Sequence, residues 1–304
     1  MQGLPKALGR CAAVGVPVLG LLMALSPAAG ASTASDTAWH GHHPSHGHYS
    51  ARVLASAKSG LQRMLATWHG MDQWKNDQGL AASKASSNAN GIEALTKVQS
   101  GNWSGYADTG TGFSKVTAKW TEPTAKCTST TSLAAFWVGI DGFASNSVEQ
   151  DGTIIECSGG QAFYFDWWEL FPTNAVQVVN TVNPGDAISA SVVRSGTSYK
   201  LSVTDSTTTS GSFSTTQACS SCANSSAEWI AEAPSGASGV EPLSNFGVFK
   251  LHNATVGTTS KSGDIISFTD DEITMVDSAG TVEAQPTSLA PLGGRFNVTW
   301  KSST

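Results

Sequence analysis

From residue 100 onward the chain is written in short runs that alternate apolar and polar residues, separated by clusters of Gly, Asn, Asp, Ser and Pro. Val116-Thr-Ala-Lys-Trp120, Tyr199-Lys-Leu-Ser-Val203 and Phe296-Asn-Val-Thr-Trp300 each alternate with a period of two, as a half-buried strand requires. Further strands are expected at Ala134–Ile140, Gln161–Leu170, Ala175–Val182, Ala187–Val193, Ala227–Ala233, Gly247–Leu251, Ile265–Phe268 and Ile273–Val276, with turns such as Asn183-Pro-Gly-Asp186 between them. No long helical period interrupts this pattern. The fold class it predicts is all-β, one antiparallel β-sandwich or barrel over residues 100–304.

The preceding 99 residues have a different character. They hold 8 Lys/Arg and 4 Asp/Glu, a net of +4, whereas residues 100–304 hold 9 and 19, a net of −10. Six of the seven His and none of the eleven Phe lie in the first part. Lys6 and Arg10 precede an apolar run, Cys11–Leu25, and then small residues through Ala31. This is the layout of a secretory signal, residues 1–31, and it predicts a secreted, extracellular product. The run falls short of the ~20 apolar residues of a membrane span. Residues 32–99 read as a basic, His-rich propeptide with an amphipathic helix over Ala51–Gln73. The cluster His40, His42, His43, His46 and His48 is compatible with a solvated tract, a metal-binding tract or a pH sensor. The acidic remainder offers no basic surface for nucleic acid.

Cysteine use agrees with export. Cys11 belongs to the signal, which leaves Cys127, Cys157, Cys219 and Cys222. Four cysteines allow three pairings. The sequence-local pairs, Cys127–Cys157 and Cys219–Cys222, need no assumption about distant contacts. A zinc ribbon would need a second CxxC, and the chain has one.

Elimination narrows the chemistry. His252 is the single histidine after residue 100, so a three-His metal site is excluded there, and no G-x-S-x-G elbow accompanies it. Nucleotide-binding glycine loops are missing too. Asp108-Thr-Gly110 spells the D-T-G of pepsin-like proteases, but that chemistry needs two such Asp side by side, and Asp277-Ser-Ala-Gly280 has the wrong spacing. A turn is expected at Asp108 instead. Carboxylates, amides and hydroxyls remain, with neither a metal nor a cofactor called for. The strongest local signals are Asn102-Trp-Ser-Gly-Tyr106, Phe136-Trp-Val-Gly-Ile-Asp-Gly142, Val148-Glu-Gln150, Trp167-Trp-Glu-Leu-Phe-Pro172 and Ala227-Glu-Trp-Ile-Ala-Glu232. Tryptophan around a single carboxylate disfavours its charged form and raises its pKa, which suits acid–base catalysis in acid. On a strand, Glu228, Ile230 and Glu232 share one face.

Taken together and in this order, these motifs resemble the glutamic peptidases, family G1, also called eqolisins. The resemblance implies a sandwich of two curved antiparallel sheets (concanavalin-like) and a secreted, acid-active endopeptidase insensitive to pepstatin. It implies a catalytic pair, Glu228 as general base on water and Gln150 as oxyanion donor, with groove residues Trp103, Trp137, Asp141 and Glu169. The family carries an acid four residues before the Glu of its W-E-x-[FY]-P strand; here that position is Phe165, and the acid is Asp166. The expected partners are peptide substrates and the chain's own propeptide as an intramolecular inhibitor, with the enzyme a monomer. Two other classes fit a Trp-rich sandwich. One is a glycoside hydrolase using Glu169 and Glu228 about 5–5.5 Å apart. The other is a carbohydrate-binding module stacking sugars on Trp167 and Trp168.

Overall fold

The structure is a computed structural model and describes residues 49–67, 96–143, 145–208 and 211–303. The expected signal, the His40–His48 cluster and the segment 68–95 lie outside the described residues. Among the described residues, the leader contributes the helix α1 (Ala51–Met64), continued by a 3-10 turn at Leu65–Thr67. Ser50 caps its N-terminus by accepting from the Val53 amide.

Among the described residues, eighteen strands follow in the all-β pattern. They are β1 (Thr96–Ser100), β2 (Trp103–Thr109), β3 (Phe113–Thr121), β4 (Ser132–Ile140), β5 (Val148–Ser158) and β6 (Gln161–Phe171). Then come β7 (Asn174–Thr181), β8 (Ala187–Ser195), β9 (Ser198–Asp205), β10 (Phe213–Ala218), β11 (Ser226–Glu232) and the two-residue β12 (Ser235–Gly236) and β13 (Gly239–Val240). Last are β14 (Val248–Thr258), β15 (Ser262–Gly263), β16 (Thr269–Val276), β17 (Val282–Pro286) and β18 (Arg295–Trp300). Fourteen of them form one continuous hydrogen-bonded order, β10-β9-β8-β3-β14-β18-β17-β16-β2-β11-β4-β5-β6-β7. The order folds over on itself, so β3 and β8 pack against β4, and β8 and β9 against β5. The result is the expected sandwich, with a back sheet around β9-β8-β3-β14 and a front sheet of β16-β2-β11-β4-β5-β6-β7.

Two apolar clusters explain why the sheets read differently in sequence. Between the layers, Trp120, Phe136, Trp229, Phe246, Phe249 and Tyr199 form the main core. Phe136 stacks on Phe249 at 4.5 Å and meets Phe246 edge-on at 5.2 Å. The outer face of the front sheet carries a second cluster, with Trp103, Trp137, Phe165, Trp167 and Ile230, and Leu61 and Leu65 of the leader belong to it. The central front-sheet strands β2, β4, β5 and β11 are therefore buried on both faces, and β5 is buried over all but its last residue. Back-sheet strands such as β8 and β9 have one wet face and keep clean alternation.

The two disulfides are those expected from local spacing, Cys127–Cys157 and Cys219–Cys222. Several expectations shift. The helix over Ala51–Gln73 is a helix to Met64 with a short 3-10 end, and its remainder lies outside the described residues. The boundary at residue 100 cuts β1, whose five residues Thr96–Ser100 pair in parallel with Asp271–Met275 of β16. Ile265–Phe268, expected as a strand, holds a 3-10 turn at Ile265–Ser267. Asp108 lies inside β2 rather than in a turn, opposite Asp270 of β16.

Candidate active site

Register builds the site. Glu228 on β11 stands opposite Gly139 on β4, Gly139 opposite Gln150 on β5, and Gln150 opposite Glu169 on β6. Four strands thus put Glu228, Gly139, Gln150 and Glu169 in one row on the outer face of the front sheet. Adjacent strands lie about 4.8 Å apart, so the Glu and Gln backbones are separated by roughly 10 Å, with only a glycine between them. Gly139 keeps that gap open. A Cβ there would stand 2.9 Å from the Trp137 ring and 3.3 Å from Gln150 Cβ. The neighbouring row runs Ile230, Trp137, Gly152 and Trp167. A Cβ on Gly152 would fall 1.9 Å from the Phe136 carbonyl oxygen, so the strands can approach here only around glycine. We expect Gly139→Ala to fold with a penalty of about 1–3 kcal/mol for overpacking. Its catalytic efficiency should fall at least about tenfold, because the new methyl fills the space between the two polar side chains.

Both members of the central pair are fully buried. Glu228 Oε1 accepts a long hydrogen bond, 3.4 Å, from the Phe143 amide, and Oε2 has no partner. Burial pushes the Glu228 carboxyl well above the usual range, and the nearby Asp141 and Glu149 carboxyls push the same way. Gln150 Nε2 donates to Glu169 Oε2 at 2.7 Å, while Gln150 Oε1 is unpartnered. Glu169 therefore fixes the direction of the Gln150 amide.

The remaining expected site residues divide. Trp103 and Trp137 meet edge-on at 5.0 Å beside this row. Trp137 Nε1 donates to Glu232 Oε2 at 2.8 Å, and Asn102 Nδ2 donates to Glu232 Oε1 at 3.0 Å. Glu232 is thus the anchor of the tryptophan floor, a role visible in sequence only as a second acid on the face of Glu228. Asp141 is fully buried at φ 68°, a left-handed geometry that Asp tolerates better than most residues. Its Oδ1 accepts from the Ser225 amide and hydroxyl at 2.8 and 3.0 Å, and its Oδ2 from the Asn224 amide at 2.7 Å and the Ser147 hydroxyl at 3.2 Å. One carboxylate thereby ties together the approaches to β5 and β11, three residues before Gln150 and three before Glu228. Asp166 faces the other way and accepts from the Asn180 amide and side chain at 2.5 and 3.0 Å, which fastens β7 to β6.

The alternatives lose their geometry. Glu169 and Glu228 sit three strands apart, roughly 14 Å at the backbone, and Glu169 is engaged by Gln150. That is far from a paired-carboxylate spacing. Trp167 belongs to the outer cluster and Trp168 packs on the inter-layer core, so the two do not form one sugar platform.

Residues 101–292 match the Peptidase A4 family. Aspergillopepsin-2 of Aspergillus niger is 25% identical over 207 residues, 60% of this chain and 72% of that protein. Scytalido-glutamic peptidase, solved with a peptide-based transition state analog, superimposes with a TM-score of 0.57 at 22% identity, covering 66% of this chain and 98% of that one. SCP-B, a member of the eqolisin family solved with the tripeptide Ala-Ile-His, gives 0.56 at 22% identity over the same shares. These structures share the sandwich.

Proposed function

The chain belongs to the Peptidase A4 family, the glutamic peptidases, and from that membership we propose that it is a secreted endopeptidase acting in acid through Glu228 and Gln150. The observation that carries this reading is the row in which Glu228 and Gln150 flank Gly139. A water and a scissile carbonyl occupy the gap. Ionised Glu228 takes a proton as the water oxygen bonds the carbonyl carbon. The Gln150 amide donates to the oxyanion, aided by its fixed direction. The tetrahedral adduct collapses as the C–N bond breaks, and Glu228 returns the proton to the leaving amine. A carboxyl raised by burial is a stronger base when ionised and holds its proton long enough to act as the acid. Trp103, Trp137 and Trp167 supply the apolar surroundings that keep the site dry.

The same reading makes the leader an intramolecular inhibitor. Leu61 and Leu65 sit in the apolar cluster of the Trp103 and Trp137 face, and Tyr49 packs on Phe163 at 4.8 Å. A substrate reaching that face must first displace α1. Denatured protein and β-glucan, each offered across pH 2–7 with and without pepstatin, test the assignment. Protein cleavage at low pH that survives pepstatin is the expected outcome; glucan cleavage alone would overturn it.

A further inference from the structure

Strand β7 ends the sheet order, so among the described residues one side of its backbone has no neighbouring strand. Such an edge presents unpaired N–H and C=O groups, the usual place for an added peptide. Here the leader takes them. Gln62 Nε2 donates to the Val176 carbonyl at 2.6 Å, and Gln62 Oε1 accepts from the Val178 amide at 2.8 Å. Lys58 Nζ donates to the Val179 carbonyl. One primary amide thus engages the two backbone groups that flank Gln177, with the donor and acceptor that a peptide backbone would bring.

The edge adjoins the central row. Trp168 pairs with Gln177 and Leu170 with Asn174, which leaves Glu169 beside residues 175–176. Val176 and Val178 belong to the same apolar cluster as Trp167 and Trp137. From Gly139 on β4 to β7 is three strand spacings, roughly 14 Å, or about four residues of extended peptide.

Resting on the peptidase reading above, we propose that the outer edge of β7 at Val176–Val179 is a distal substrate subsite. It binds a backbone amide of the substrate about four residues from the scissile bond, and Gln62 and Lys58 hold it closed in the precursor. The site selects for length and for a free backbone N–H and C=O rather than for a side chain. Short peptides therefore bind without it.

The test uses the full chain carrying Glu228→Gln, so that peptide is bound and not consumed, with Leu61→Asp and Leu65→Asp to displace α1. A fluorescent twelve-residue peptide is N-methylated at one amide at a time on both sides of the scissile bond. Methylation at one position three to five residues away should weaken binding about tenfold, the cost of losing a backbone hydrogen-bond pair. A scan that is flat beyond two residues would overturn the subsite. Should the Leu variants fail to fold, Lys58→Ala with Gln62→Ala in the Glu228→Gln chain carries the same question. That pair should tighten the twelve-residue peptide about tenfold more than a four-residue one, and an equal gain for both would refute the proposal. Cleavage by the unsubstituted chain is read separately: no cleavage of any peptide refutes the peptidase reading, whereas cleavage with a flat scan refutes the subsite alone.

Discussion

Glu228→Gln should abolish peptide cleavage, and Gln150→Ala should reduce kcat by about a hundred- to a thousandfold. The two losses have different causes. Glu228→Gln preserves shape and removes the group that accepts the proton from water, so no step of the reaction has a base. Gln150→Ala removes one oxyanion donor, a loss on the order of 2.7–4 kcal/mol in a comparable site. Gln150→Glu separates donation from bulk. It retains the size of the side chain but sets a carboxyl against Glu169, whose Oε2 accepts the Gln150 Nε2 hydrogen bond at 2.7 Å. Two carboxyls at that distance share a proton. The Gln150→Glu chain should therefore regain activity only as pH falls. Steady-state rates on one peptide, with folding checked by circular dichroism, measure all three. Full activity in Glu228→Gln would remove Glu228 from the mechanism.

The second large effect is on stability. Asp108 is fully buried, and burial, with the Asp270 and Asp271 carboxyls beside it and Lys261 opposing, raises its pKa from 3.8 to about 9. Burial raises Glu122 from 4.5 to about 8, against hydrogen bonds from Thr153 and Trp120 that pull it down. Burial likewise raises Glu149 and Asp151 well above the ordinary range. The folded chain therefore keeps protons that the unfolded chain has released once pH exceeds about 4–4.5. Stability falls as pH rises through that window, by about 1.4 kcal/mol per pH unit for each such group. The expected result is a chain whose stability falls as the pH rises from acid toward neutral. Little is available to offset this, since among the described residues the ion pair found is Lys97–Glu272. Thermal melts at half-unit pH steps measure the slope. Asp108→Asn should flatten it by about 1.4 kcal/mol per pH unit, and a melting temperature that rises from pH 4 to pH 7 would refute the account.

The alternating runs locate strands where one face is wet, as in β3, β8, β9 and β18, because water on one side and core on the other write a period of two into the residues. The alternating pattern misses β5, an eleven-residue strand of the front sheet. Val148-Glu-Gln-Asp-Gly-Thr-Ile-Ile-Glu-Cys-Ser158 mixes three acids, an amide and a glycine with its apolar residues, and both its faces are buried. Polar side chains there are stabilised by partners on other strands, which no local pattern reveals.

The sequence by itself was enough for the all-β class, the two short-range disulfides and the change of character near residue 100, while elimination left only carboxylates, amides and hydroxyls and the resemblance to the glutamic peptidases singled out Glu228 and Gln150 among them. Composition, period and the order of motifs are properties of residues near one another in the chain. The tertiary structure decided the rest: the row that sets Glu228, Gly139, Gln150 and Glu169 side by side, the gap that Gly139 keeps, the use of Asp141 as a clamp, and the leader helix across the tryptophan face with Gln62 on the edge of β7. Each depends on strand register or on which face a strand buries. A shift of one residue turns every side chain to the opposite face, so these contacts exist only once strands distant in sequence have paired.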